Sequence, residues 1–390
     1  MASDWLDRVI DPGTNDSGKS DKSDGWHTGE GSVSALPLPR LRCPDRRVAK
    51  MGIVIPPHAS VPVLTADADA ITRASEVLAA GGLVVVPTET VYGLGADASS
   101  ESAVARIYEA KGRPADHPVI VHVLRAADLD AWAVDIPDYA RALAERFWPG
   151  PLTLVLPRRP GVGEVAAGGA PTIALRSPSH PVARALIEAF GSGVAAPSAN
   201  RFGRVSPTTA QHALDELGDV LTEHDLVLDG GDCAIGVEST ILDCTGPEPV
   251  VLRPGGVTTN DVAEVAATAS ARPSDLDLAT RAPGTLAAHY APAARVLLAE
   301  PIEADAVINA APPGEVGLIA SADYMPTTER FVHRLVAPGT AEEYAQDLYS
   351  ALRRADDLGL VAVVAVLPPD DGIGHAVRDR LLRAATGSAG

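Results

Sequence analysis

The sequence predicts strands alternating with helices: an α/β or α+β domain built on one large sheet, followed by a small doubly wound domain. Two observations carry this. Over residues 61–256, short apolar runs recur between segments whose apolar positions lie three and four apart. Over about the last 95 residues, three more apolar runs flank one long amphipathic stretch, the β-α-β order of a small parallel sheet.

Taken in order, residues 1–60 are rich in Gly, Ser, Asp and Pro. Asp11 to Ser34 could hardly bury enough apolar surface to offset ordering entropy, so a disordered extension is expected. Asp67 to Ala80 reads as a helix with Ile71, Ala74 and Leu78 on one face and Gly81 as its stop. Leu83 to Val86 is a buried strand that Pro87 ends by removing a backbone donor. Ser99 to Ala110 is a helix with Val104, Ile107 and Tyr108 inward and Ser99 or Ser100 as N-cap. Val119 to Val123 is a strand, and Ile136 to Phe147 a helix stopped by Trp148-Pro-Gly-Pro. Strands at Leu152–Leu156 and Thr172–Arg176 flank a glycine-rich loop, Gly161 to Gly169. A helix over His180–Phe190 leads to Val194-Ala-Ala and Pro197-Ser-Ala-Asn; Thr208 to Leu217 is helical. Leu226–Leu228, Ser239–Leu242 and Val250–Leu252 read as strands. From Val257 the Ala, Thr, Ser and Asp content suggests a linker, taken here as 257–292. The domain at 293–390 has strands at Arg295–Leu298, Val316–Ile319 and Val361–Leu367. Its helices are Ala341–Asp357, with Tyr344, Leu348 and Leu352 on one stripe, and Asp371–Ala385.

At 390 residues there is chain enough for two cores, and a hydrophobic share of 46% is that of a globular protein. No apolar run approaches a membrane span, and Asp4, Trp5, Asp7 and Arg8 spoil any signal-peptide pattern, so a cytoplasmic location and no membrane partner are expected. Three cysteines without metal-site spacing fit reduced thiols. The net charge is −19; residues 61–256 carry 25 acids against 14 bases and residues 257–390 carry 18 against 10. Such acidity argues against a broad nucleic-acid footprint, and no direct stable nucleic-acid binding is expected; it does not exclude a small basic pocket for one nucleotide.

The stretch Pro87 to Gly95 places Thr88, Glu89, Thr90 and Tyr92 at the carboxyl end of a strand, which either caps the strand or binds a ligand. Gly93, Gly95 and Ala98 mimic a dinucleotide fingerprint, but six residues separate them from the strand, which argues against that reading. Lys111 with Arg113, Ser198 with Asn200 and Ser206, Arg253, Arg176 and Ser239 complete a set of cations and hydroxyls at element ends. Guanidinium groups match carboxylates and phosphates in a bidentate way, and lysine serves phosphate as a point charge. No Walker loop, His-Glu-x-x-His, Cys-x-x-Cys or Gly-x-Ser-x-Gly occurs, which disfavours P-loop, zinc and hydrolase-elbow chemistry.

In order, Pro87-Thr-Glu-Thr-Val-Tyr-Gly-Leu-Gly, Lys111-Gly-Arg-Pro, Trp148-Pro-Gly-Pro-Leu-Thr, Pro197-Ser-Ala-Asn, Ser206-Pro-Thr, Gly236-Val-Glu-Ser-Thr and Leu252-Arg-Pro-Gly-Gly resemble the YrdC/Sua5 family. The stretch Ala282 to Pro292 resembles the linker motif of its two-domain Sua5 branch. The resemblance implies α/β architecture, with a large twisted, mostly mixed YrdC-like sheet, flanking helices and a small doubly wound C-terminal domain. It implies L-threonylcarbamoyladenylate synthase activity, a nucleotidyltransferase reaction. L-threonine, bicarbonate or CO2, and ATP give threonylcarbamoyl-AMP and pyrophosphate. The product would pass to a tRNA threonylcarbamoyl transferase complex for N6-threonylcarbamoyladenosine (t6A) synthesis.

The resemblance further implies that Thr90, His122, Arg176, Ala196 and Ser239 hold threonine, Arg176 pairing its carboxylate and Ala196 contributing backbone only. ATP is expected along Arg113, His117, Thr172, Ser198, Asn200, Ser206, Arg253 and Tyr290, with Lys111 and Arg113 as the catalytic cations for the phosphates. Mg2+ is expected on the triphosphate, with no protein side chain assigned to it. Departures are His117, where the family commonly has Asn, and Thr285-Leu-Ala-Ala in place of the Met and Lys often found in the linker. The role of Glu89 stays open between catalytic and structural. The competing readings are an RNA-binding protein of the same fold, against which an aromatic share of 4% counts, and a carbamoyltransferase-type module, for which there are too few cysteines.

Overall fold

The computed structural model describes residues 61–266 and 288–389 and the backbone of a two-residue strand at 270–271. The N-terminal extension, and most of the segment read as linker, lie outside the described residues.

The first half is one mixed sheet. Its strands are β1 (Val63–Thr65), β2 (Val84–Val86), β3 (Gly93–Asp97), β4 (Ile120–His122), β5 (Leu152–Pro157), β6 (Thr172–Arg176), β7 (Val194–Ala195), β8 (Leu226–Asp229), β9 (Thr240–Asp243), β10 (Val250–Arg253) and β11 (Ser270–Ala271). They lie in the order β1-β8-β2-β3-β7-β4-β6-β5-β9-β10-β11. Parallel pairs such as β4 with β6 mix with antiparallel ones such as β5 with β6. The expected mixed sheet is therefore present, and β1, β3, β7 and β11 are additions to it. Gly93 and Gly95 serve in β3 as strand residues: a Cβ on either would come within about 3.2 Å of Ala196 or Val194 on the β7 side. Close backbone packing, and no dinucleotide, accounts for them.

Helices α1 (Ala68–Ala79) and α2 (Glu101–Lys111) start on side-chain caps, Asp67 and Ser100. The helix α2 ends on Gly112 in the left-handed conformation, and the Arg113 amide bonds back to Tyr108, which fixes where Lys111 and Arg113 leave the helix. Next come α3 (Leu129–Trp132), α4 (Asp138–Phe147), α5 (Pro181–Phe190), α6 (Ala210–Leu217) and α7 (Thr259–Ala266). The last of these corrects the linker reading. Val257 and Val262 bury in the main core, so the chain still belongs to the first half there.

The pleat sorts the sheet into two faces. Val121, Leu154 and Leu175 point into the main core, whereas their neighbours Ile120, His122, Val155, Ala174 and Arg176 face the other way. The helices α1 and α5 cover one end of that second face. The rest of it holds the site.

The second half has a four-stranded parallel sheet, ordered β12 (Arg295–Ala299), β15 (Ala362–Val366), β13 (Val316–Ile319), β14 (His333–Val336). The helix α8 (Ala304–Ala310) covers one face, and α9 (Ala341–Asp357) and α10 (Gly374–Gly387) the other, as a doubly wound domain requires. The two halves form one unit. The helix α9 presses on Gly236, where a Cβ would stand 2.4 Å from the Ala345 carbonyl oxygen, an approach that only glycine permits.

Candidate active site

A cavity of about 50 Å3 opens where residues of β4, β6 and β10 meet the turns after β2 and β7 and the residue before β9. Of the residues singled out in the sequence, Thr90, Arg113, His122, Arg176, Ala196, Ser198, Ser239, Arg253 and Tyr290 line it.

At one end stands Arg176, the last residue of β6, 3% exposed. Its Nη2 lies 2.7 Å from Glu89 Oε1, its Nη1 donates to Thr90 Oγ1 at 2.9 Å and its Nε to the Gly150 carbonyl at 3.2 Å. The Thr88 hydroxyl donates to the Val91 carbonyl, so the Thr90 hydroxyl, 2.9 Å away, donates to Thr88 while accepting from Arg176. The Thr90 hydroxyl is thus oriented before any ligand arrives. Burial opposes the Glu89 charge, yet Arg176 outweighs it and holds the carboxyl below its usual range. His122, paired with Arg176 across β4 and β6, is driven down to about 3 by burial and then by the Arg176 charge, so it is neutral at physiological pH. Glu89, left open by the sequence, is the counterion that aims Arg176.

Along the sheet, Thr153 Oγ1 and Ser239 Oγ lie 2.8 Å apart, and Arg253 donates to the Ser239 carbonyl at 2.9 Å and to its hydroxyl at 3.2 Å. Arg113 donates to the carbonyls of His117 and Pro118, and its guanidinium lies 5.6 Å from the Phe202 ring centre. Burial, above all, lowers it to about 10.

Five of the expected residues are off the cavity wall. Lys111 is buried and its ammonium donates to the carbonyls of Ser198 and Asn200, so it anchors the turn that presents Ser198. Burial and then Arg113 lower its pKa well below the usual lysine range. The Asn200 amide donates to the carbonyls of Arg201 and Arg204, and its buried Oδ1 has no hydrogen-bond partner among the described residues. Ser206 donates to Glu238 Oε1 at 2.6 Å, just behind the wall. His117 packs edge-on against Phe202 beside Arg113. Thr172 shares the face of Arg176, but four strand positions away, about 13 Å.

Two features were missed in the sequence. One is Glu238, inside the Gly236-Val-Glu-Ser-Thr motif and lining the cavity. The other is the contribution of the C-terminal domain: Tyr349 of α9 donates to Glu238 Oε2 at 2.8 Å and Arg380 of α10 at 2.7 Å. The available signal was periodicity. Arg380 falls on the buried stripe Ala376, Val377, Leu381 and Ala384, where an arginine is out of place unless paired.

His289 and Tyr290 fill the cavity from the linker side. Their rings meet edge-on at 4.1 Å, Tyr290 stacks on Tyr349, and the Arg380 guanidinium lies 5.4 Å from its ring centre. The Tyr290 hydroxyl and His289 Nδ1 are buried without hydrogen-bond partners among the described residues, and Tyr290 has φ +62°. About 50 Å3 holds little more than one water molecule. With this pair in place the cavity is far smaller than a nucleotide.

Two family models match in tandem: one described as telomere recombination, for the Sua5, YciO and YrdC proteins, over residues 76–255, and one described as the threonylcarbamoyl-AMP synthase C-terminal domain over residues 257–386. A threonylcarbamoyl-AMP synthase of Pyrococcus abyssi is 42% identical over 317 residues, 78% of this chain and 90% of the relative. That of Bacillus subtilis is 39% identical over 332 residues, 81% and 93% respectively. The solved structure of P. abyssi Sua5 complexed with L-threonine superposes with a TM-score of 0.76 at 39% identity, covering 84% of this chain and 97% of the other. The chain therefore belongs to the threonylcarbamoyl-AMP synthase family, in its two-domain Sua5 form.

Proposed function

We infer that this protein is an L-threonylcarbamoyladenylate synthase, a nucleotidyltransferase that supplies the intermediate for N6-threonylcarbamoyladenosine in tRNA. The observation that carries this reading is the convergence of three arginines of an acidic protein on one cavity, Arg176 and Arg253 buried and Arg113 half-buried. Arg176, with its hydroxyl partner Thr90, offers a fork to the threonine carboxylate, in keeping with the bound threonine of the P. abyssi relative. Arg113 and Arg253 stand where the ATP phosphates would lie, with Ser239 between the two ends.

The threonine amine adds to CO2, or to bicarbonate with loss of water. One oxygen of the resulting carbamate attacks the α-phosphorus of ATP as the bond to the bridging oxygen breaks and pyrophosphate leaves. Positioned cations, and no side-chain nucleophile, suit this step. Tyr290 and His289 give way to admit ATP and would reclose over it.

Mg2+ is proposed to arrive with the triphosphate. Among the described residues no group of three or more His, Cys, Asp or Glu could hold a metal ion, so phosphate oxygens and water would supply its ligands. When bound, it would neutralise charge on the phosphates. Among the described residues no helix is long and apolar enough to cross a membrane, and the product is proposed to go to a tRNA-modifying transferase complex.

The test is pyrophosphate release from ATP and bicarbonate, with and without L-threonine. Release that depends on threonine is expected; release indifferent to it, or none, overturns the reading.

A further inference from the structure

The C-terminal domain contributes more than a cover. Arg380 is wholly buried, and its three nitrogens go three ways: Nε to Glu238 Oε2 at 2.7 Å, Nη2 to the Pro254 carbonyl at 3.0 Å, Nη1 to Asp379 Oδ2 at 2.6 Å. Glu238 immediately precedes Ser239, and Pro254 immediately follows Arg253. Arg380 therefore grips the chain on the outer side of both cavity residues, while Arg253 bonds Ser239 from within. The second oxygen of Glu238 takes the Ser206 hydroxyl, and Tyr349 shares the first with Arg380. Glu238 has no freedom left. Without a counterion, a carboxylate on the wall of an anion-binding cavity would repel the substrates it faces.

We propose that Arg380 is a positioning residue of the synthase reaction: from the C-terminal domain it cancels the Glu238 charge and sets the places of Ser239 and Arg253, where the threonine and ATP ends of the cavity join. The proposal rests on the function inferred above. A group placed at that junction acts on the reacting atoms more than on either substrate alone, so the effect falls on kcat. A displacement of about 1 Å there costs on the order of 10²-fold.

The experiment measures threonine-dependent pyrophosphate release by the full chain carrying Arg380→Lys, Arg380→Gln, Glu238→Gln or Glu238→Gln with Arg380→Gln, with Arg378→Ala as control. Arg378 lies on the same helix but pairs with Glu300 at the surface. Expected is a fall in kcat on the order of 10²-fold for Arg380→Gln, a smaller fall for Arg380→Lys, which keeps the charge but loses the fork, KM values within threefold, and an unchanged Arg378→Ala. The double variant should fare no worse than the worse single one, because both act through one contact. Should Arg380→Gln fail to fold, Arg380→Lys and Glu238→Gln carry the test. A kcat within twofold of wild type in the folded variants, or losses that multiply in the double variant, overturns the proposal. An inactive wild-type protein would instead overturn the underlying function.

Discussion

Two buried arginine–glutamate pairs bracket the cavity, each at 2.7 Å, and they face opposite ways. In the first, both partners belong to the sheet domain: Arg176 is oriented by the Thr90 hydroxyl at the cavity wall, and Glu89, anchored by the Ser179 amide, steadies it. In the second, the glutamate is on the wall and the arginine stands behind, in another domain. Burial works against the Glu238 charge, but Arg380 and Arg253 prevail and hold its carboxyl at about 2. The same chemical pair thus serves two ends. In the proposed function one offers a cation to a substrate, and the other hides an anion from it.

The largest effect should come from cutting the first pair. Arg176→Ala removes the carboxylate fork and strands Glu89 without a counterion, a loss of about 3–5 kcal/mol where a buried pair is broken. KM for threonine should rise by at least about 10²-fold, read from initial rates at saturating ATP, and the unfolding midpoint should fall. A rise in the KM for ATP with threonine affinity unchanged would break the contrast, because it would place Arg176 at the nucleotide end.

Next in size is a split between the two members of the Lys-x-Arg motif. Lys111 holds two carbonyls of the Ser198 turn, whereas Arg113 reaches the wall. Lys111→Met should therefore lower the melting temperature by roughly 5–10 °C, two buried carbonyls being left without their donor, along with turnover. Arg113→Ala should raise the KM for ATP with a smaller shift in melting. Differential scanning fluorimetry beside steady-state kinetics separates them; equal melting shifts would return Lys111 to the role of a phosphate ligand.

The first pair was half legible in the sequence and the second was not. Arg176 ends an apolar strand, and a cation at such a place is conspicuous; the Pro87 to Gly95 turn announces itself by crowded hydroxyls. Most sheet-domain elements were equally plain, because strand pleating and helical periodicity are local. What joined them was not. The strand β3 was hidden by its own glycines, whose reason is the proximity of β7, about a hundred residues on. Arg380 is 142 residues from Glu238 in the chain, and only packing α10 against the sheet domain reveals that one needs the other. Lys111 shows the same locality: its charge suggests phosphate, and only the fold shows that its neighbours in space are backbone carbonyls.

The smallest expected effect concerns two histidines, one in each corner. His122 lies beside Arg176 and His289 in the segment that reaches towards Glu238; burial above all lowers each to about 3. Unfolded, each would titrate near 6.5, so between about 6.5 and 3 the unfolded chain binds a proton that the folded chain refuses. Their contribution is present above 6.5 and is lost as pH falls, with a slope of at most about 1.4 kcal/mol per unit for each. His122→Asn should flatten the fall in stability between pH 7 and 5 by about 2 kcal/mol, measured from denaturant midpoints. His289→Asn should flatten it by less if, as proposed, the segment carrying His289 leaves the cavity to admit ATP, because each departure lets the imidazole meet water and take its proton. Equal flattening would mean that His289 is seated as firmly as a strand residue, and a nucleotide would then have to enter by another route.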